Sequence, residues 1–352
     1  MLPILPLLLL ACAPDEGTVR TPPSSSPPET PTSSSSVPSM STGTDTASES
    51  GSVADTAADT GGTSVAEPLL VAVISDLNGS YGSTTYGSDV HDAVARLVQV
   101  EPDVVLVTGD MVAGQQSGLD YRAMWDGFHD AVTDPLTAAG IPLAVAPGNH
   151  DASAYSGFEE ERSIYVSEWT DRVPSVSMVD DLDYPLRYAF TAGDALFVAL
   201  DDTKVGSLPS EQMSWLDDVL DTPAEVKVVY GHVPLYPVAQ GRETDIIGDD
   251  DLHDLLLAHG VDLFVAGHHH AYYPAYAGDL RVLTMGCLGS GSREYIGTSQ
   301  LSDKSFVLFE VRSGAVAELE AWRGDAFDEV VPRNELPESI AWSGGTLIRD
   351  DL

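Results

Sequence analysis

Cysteine is almost missing from this chain. Of 352 residues only Cys12 and Cys287 are cysteine. One sits at the head of the chain and the other deep in its folded pattern, so no disulfide framework holds the protein together. Basic residues are scarce as well: 16 Lys and Arg stand against 55 Asp and Glu, a formal net charge of −39. A surface of that sign repels nucleic acid and anionic lipid, so no nucleic-acid partner is expected. Long apolar runs are lacking too. The N-terminal stretch "MLPILPLLLLAC" offers residues 2–11, far too short to span a bilayer. Large apolar residues all but vanish from residues 13–67, which Ser, Thr, Pro, Ala, Gly and Asp dominate. Such a segment cannot bury enough surface to offset the entropy of ordering it, and is expected to be a disordered tether.

What is present at the N-terminus suits export. Residues 1–12 read as a signal-peptide core ending in a small residue. "LLAC" resembles the lipobox of bacterial lipoproteins, which implies lipidation of Cys12 and a membrane-anchored protein facing the periplasm or cell exterior. The 13–67 segment carries eight acidic residues and one Arg, so most of the acidity belongs to the chain beyond it.

From Pro68 onward short β-branched runs alternate with amphipathic helical patterns, which argues an α/β domain over 68–325. Strands are expected at 69–74, 103–108, 142–146, 196–200, 226–230, 262–266, 281–285, 305–311 and 315–322. Helices are expected near 89–100, 121–139, 159–171, 210–220 and 250–259. Residues 326–352, with Pro, Gly and acid interspersed, read as a loosely packed tail.

Five of these strands end alike. "LLVAVI" runs into Ser75-Asp76, "DVVLVT" into Gly109-Asp110 and "PLAVA" into Pro147-Gly148-Asn149-His150-Asp151. "VKVVY" runs into Gly231-His232, and "DLFVA" into Gly267-His268-His269-His270. In open α/β sheets ligands bind beyond the carboxyl ends of the strands. Carboxylates, an amide oxygen and imidazoles, without a thiolate, suit Mn, Fe, Co, Ni or Zn. Six or seven such ligands exceed the needs of one tetrahedral ion and fit a two-metal site. If Gly267 releases an extended stretch, His268 and His270 share a face and His269 points away.

The ordered series D-x-N, GD, GNHD, GH and GHHH resembles that of the calcineurin-like metallophosphoesterases (D-x-H, GD, GNH[DE], GH, GHxH), over about residues 69–325. The resemblance implies a four-layer α/β/β/α sandwich of two mixed sheets flanked by helices. It implies two divalent or trivalent transition-metal ions (Mn, Fe or Zn) and hydrolysis of a small phosphomonoester or phosphodiester by a metal-bound hydroxide. Asp110 would bridge the ions, Asp76 and His270 would bind the first, and Asn149, His232 and His268 the second. His150 would assist the leaving group, with Asp151 orienting it.

Asn78 departs from the pattern, standing where the family has His. Purple acid phosphatases also lack that His but place a Tyr three residues after the bridging Asp, where this chain has Ala113. Three readings are open: Asn78 binds through its amide oxygen; water or a side chain such as Tyr81 or Tyr86 completes the shell; or the first site is weak or empty. A working variant is expected. A non-catalytic metal- or partner-binding surface protein that retains the fold is the alternative.

Overall fold

The computed structural model describes residues 68–352. The expected signal peptide, Cys12 and tether lie outside the described residues. Chain order begins β1 (Leu69–Ile74), α1 (Ser88–Val100), β2 (Val104–Thr108), α2 (Tyr121–Phe128), a π-helical turn (His129–Thr133), α3 (Asp134–Ala138), β3 (Leu143–Ala146), α4 (Asn149–Ala152) and α5 (Glu159–Trp169). It continues through β4 (Ser177–Asp183), β5 (Arg187–Ala192), β6 (Ala195–Ala199), α6 (Ser210–Leu220), β7 (Val226–Tyr230), α7 (Asp250–Ala258), β8 (Leu263–Ala266), β9 (Tyr273–Ala277) and β10 (Leu280–Thr284). It closes with β11 (Phe306–Arg312), β12 (Ala315–Arg323), β13 (Glu329–Val330), β14 (Ser339–Trp342) and β15 (Gly345–Arg349).

The strands form two mixed sheets, one ordered β13-β12-β11-β1-β2-β3 and the other β14-β15-β9-β10-β8-β7-β6-β5-β4. Within them β1, β2 and β3 run parallel, as do β6, β7, β8 and β10. Strand side chains alternate between faces, and this splits the core in two. Val71, Val73, Val104 and Leu106 join the apolar cluster that includes Phe197, Val228 and Phe264 of the other sheet. Ala72, Ile74, Val105 and Val107 face the other way, onto Val90 and Leu97 of α1 and Trp125 and Phe128 of α2. The same cluster continues across the second sheet to Leu216 and Leu220 of α6 and Leu252 and Leu256 of α7. The order helix, sheet, sheet, helix is the α/β/β/α architecture expected. Among the described residues no helix is long and apolar enough to cross a membrane.

One boundary differs from expectation. Residues 326–352 are not a loose tail: they supply β13 to the first sheet and β14–β15 to the second. Val331, Leu336, Ile340 and Leu347 are buried in the main cluster. Short strands, turns and exposed acids give this segment a loop-like composition, and its apolar positions are too widely spaced to read as strands.

Candidate metal centre

The centre forms where the carboxyl ends of strands from both sheets meet. β1 and β2 are parallel neighbours paired at Ile74↔Val107. Each releases the chain through one small residue into an Asp with left-handed backbone, Asp76 at φ 50° and Asp110 at φ 53°. Pairing continues past the strands: Asp76 N donates to Gly109 O at 3.1 Å and Asn78 N to Asp110 O at 3.0 Å, which fixes the two carboxylates side by side. His268 and His270 are left-handed as well, at φ 64° and 51°. Non-glycine residues in that region cost on the order of 1–3 kcal/mol each, and they persist where surrounding structure over-determines them. Glycine is compelled twice by close approach. A Cβ on Gly109 would lie 2.6 Å from the Gly148 backbone and 2.7 Å from His232 Nδ1, and one on Gly148 would lie 2.1 Å from Asp110 N.

The central observation is a convergence of side-chain oxygens and ring nitrogens. His232 is fully buried and its Nδ1 lies 2.8 Å from Thr108 O, so Nδ1 carries a proton and Nε2 is turned into the centre. Toward that Nε2 point Asn149 Oδ1 at 2.9 Å, His268 Nδ1 at 3.2 Å and Asp110 Oδ1 at 3.4 Å. The Asn149 amide is held in this sense because its Nδ2 donates to Gln115 Oε1 at 3.0 Å. Burial would lower the His232 imidazole, but Asp110 and Asp76 outweigh it and raise it. Burial and the adjacent His232 hold His268 well below the ordinary imidazole value, so His268 is neutral. Acceptor atoms packed this closely call for a positive charge between them, which a protonated His232 or a bound metal ion supplies.

A second group lies beside the first. His270 Nδ1 sits 2.8 Å from Gly291 O, leaving Nε2 to face Asp76 Oδ1 at 3.1 Å. Asp76 Oδ2 is already engaged by Ser75 Oγ at 2.7 Å and by His268 N at 3.1 Å. Burial pushes the Asp76 carboxyl up, yet His270, with help from His232 and Ser75, brings it down to about 2. Among the described residues His268 Nε2 is buried without a hydrogen-bond partner, and Asp76 Oδ1 has only His270 Nε2 before it. Asp76, Asp110 and His232 each offer a donor atom within 4.8 Å of the others. Oxygen and nitrogen donors that converge, with their outer atoms fixed by backbone carbonyls, fit a transition-metal ion.

The remaining predicted residues have other places. Asn78 is buried at the edge of the second group, its amide oxygen accepting from the Ser290 hydroxyl and its Nδ2 facing Val112 O at 3.4 Å. His150 borders the centre with Nε2 4.0 Å from Asp110 Oδ2 and Nδ1 3.0 Å from Gly114 O. The ring of Tyr81 lies beside it, centroids 5.4 Å apart. Asp151 does not orient His150. Its two oxygens accept from Val112 N and Gly148 N, both at 2.9 Å, so it ties the β2 and β3 loops together. Burial and the nearby Asp110 push its carboxyl up to about 8. Tyr86 donates its hydroxyl to Met111 O at 2.6 Å. His269 commits Nε2 to Asp245 O at 2.9 Å and Nδ1 to Val238 N at 3.2 Å.

Three supporting residues escape a sequence reading. Asp202, buried just past β6, accepts from His232 N at 2.7 Å and Val233 N at 3.0 Å. Gln115 sets the Asn149 amide, and Glu161 anchors the Gln115 backbone and Ser153 N. Isolated Asp, Gln and Glu residues in loops and helices carry no motif, and only the folded chain brings them to the ligand loops.

The family model described as calcineurin-like phosphoesterase matches residues 69–272. Among curated proteins, purple acid phosphatase 18 of Arabidopsis thaliana is 28% identical over 213 residues, 58% of this chain and 44% of the relative. Purple acid phosphatase 13 of the same plant is 28% identical over 164 residues, 44% of this chain and 28% of the relative. The chain thus spans less than half the length of these relatives. Among solved structures, purple acid phosphatase PPD1 from yellow lupin (Lupinus luteus) superposes with TM-score 0.57 at 18% identity, covering 75% of this chain and 53% of that one. GAP50, the anchor in the inner membrane complex of Plasmodium, superposes with TM-score 0.51 at 16% identity, covering 75% and 87%. At these identities the structural likeness is one of fold.

Proposed function

Because the chain belongs to the calcineurin-like phosphoesterase family, we propose that it hydrolyses small phosphoric esters, monoesters or diesters, at the centre described above. The observation that carries this reading is the convergence of the Asp110, Asn149 and His268 side chains on Nε2 of His232. Asn149, His232 and His268 would hold one ion, Asp76 and His270 a second, and Asp110 would serve both. Bound ions would supply a lowered water pKa and neutralise charge developing on phosphoryl oxygens.

The protein's own residues then have definite tasks. His150 keeps its Nδ1 proton on Gly114 O, so proton exchange with a leaving oxygen falls to Nε2, on the side of Asp110. Its ring is partly open to solvent, as a group that meets substrate must be. Asp202 and Gln115 hold the His232 backbone and the Asn149 amide in place before substrate arrives, so the donors need little reorganisation during reaction. The strongly acidic surface favours small esters over long polyanions.

Steady-state assays on p-nitrophenyl phosphate and its bis-ester, with Mn(II) added, test the reading. Hydrolysis of either ester at this centre is expected. A metal-replete, folded chain that turns over neither of them, nor a panel of nucleotides and lipid head groups, contradicts it.

A further inference from the structure

The two halves of the centre are not equally furnished. Around His232 Nε2 gather Asn149 Oδ1, His268 Nδ1 and Asp110 Oδ1, within 2.9–3.4 Å. Among the described residues the other half has only Asp76 Oδ1 and His270 Nε2 beside the shared Asp110. Asn78, the obvious third donor there, is spent elsewhere. The Ser290 hydroxyl is shared between its amide oxygen and its backbone carbonyl, the latter at 3.1 Å, and its amide nitrogen faces Val112 O.

Ser290 is itself fixed. Its N donates to Asp76 O at 3.2 Å, and its carbonyl accepts from the buried Cys287 thiol at 3.0 Å. The loop after β10 is pressed hard against the loop after β1: a Cβ on Gly289 would lie 1.8 Å from Leu77 O. Neither side can retreat to let the amide turn freely. Tyr86 cannot substitute, since its hydroxyl is bonded to Met111 O, and the small side chain of Ala113 offers no donor.

We propose that Asn78 is a positioning residue locked by Ser290, and that the centre therefore binds its two ions with unequal affinity, tightly at Asn149–His232–His268 and weakly at Asp76–His270. The Asn78–Ser290 bond sets the difference. It fastens the β1 loop, and so Asp76, to the β10 loop, while withdrawing an amide oxygen from the weaker ion. The inference rests on the phosphoesterase reading only for the expectation of two ions.

The test is calorimetric titration of the chelated, full-length chain with Mn(II) alone. Two classes of binding are expected, the second weaker by about tenfold or more, the scale on which a lost supporting contact changes metal affinity. Ser290→Ala frees the amide oxygen and should tighten the weaker class severalfold, and Asn78→His should tighten it further, with the tight class unmoved in both. His270→Ala should remove the weaker class alone, since the His270 ring nitrogens meet only Gly291 O and Asp76. Two ions of equal affinity in the parent chain would overturn the proposal, as would a weaker class unmoved by both Ser290→Ala and Asn78→His. Turnover of p-nitrophenyl phosphate in the same samples separates the two ideas. Unequal binding without turnover sinks the phosphoesterase reading and leaves this inference standing, and turnover with equal binding does the reverse.

Discussion

Replacing Asp110 with Asn is expected to lower turnover of phosphate esters by about a thousandfold or more, corresponding to the several kcal/mol that bound metal contributes to such reactions. The substitution keeps shape and removes charge. An Asn amide oxygen can still accept from His150 N, as Asp110 Oδ1 does at 2.9 Å, so the β2 and β3 loops stay together and the fold is retained. What disappears is the negative charge among the acceptors at His232 and the one carboxylate assigned to both ions. Metal content should fall with activity. An Asp110→Asn chain that kept full turnover would contradict the two-ion assignment, and matched circular dichroism spectra would exclude unfolding as the cause of a loss.

A chain ending at Asp325 is expected not to fold cooperatively. The deletion strips Val331, Leu336, Ile340 and Leu347 from the main core, each worth about 1.5–3 kcal/mol when fully buried. Four such side chains approach the whole stability of a typical domain, about 5–15 kcal/mol. It also exposes the β9 edge now paired through Ile348↔Tyr276 and Arg349↔Ala275. Arg281 loses Asp350 at 2.6 Å, and Tyr273 loses Pro337 O at 3.0 Å. An unpaired edge of this kind invites aggregation. Thermal unfolding followed by circular dichroism checks the point: a truncated chain with the melting temperature of the full chain would show that the C-terminal strands are dispensable.

That deletion also marks where sequence reading ends. The buried parallel strands are legible because each is a short β-branched run closed by a small residue and a polar ligand. Their observed limits, such as Leu69–Ile74 and Val226–Tyr230, match the expected ones. β4 is not legible: its "SMVDDLD" is largely exposed and acidic, and so reads as loop. β9 is hidden by Pro274, tolerated here because the pairing with β15 ends at Ala275. β14 and β15 are too short to show a period.

The site divides in the same way. Asp76, Asp110, Asn149, His232, His268 and His270 do converge, because the parallel strands of both sheets deliver their carboxyl ends to one place. Asp151 is misleading in the sequence, because its adjacency to His150 suggests a contact between them. The helical turn of α4 instead sends the Asp151 carboxylate back to Gly148 N and across to Val112 N. Asp202 carries no signal in the sequence because its value lies in two backbone N–H groups thirty residues away, at His232 and Val233. Asn78 is recognisable as a departure, but only the folded chain shows Ser290 holding it.

The central claim is that acceptors gathered around His232 hold a metal ion on which ester hydrolysis depends. Its most direct measurement is turnover of p-nitrophenyl phosphate and bis(p-nitrophenyl) phosphate by the full chain in three states: as prepared, after chelation, and after return of Mn(II). The account predicts hydrolysis that chelation abolishes and Mn(II) restores. Turnover indifferent to chelation, or none in the metal-replete chain, would contradict it.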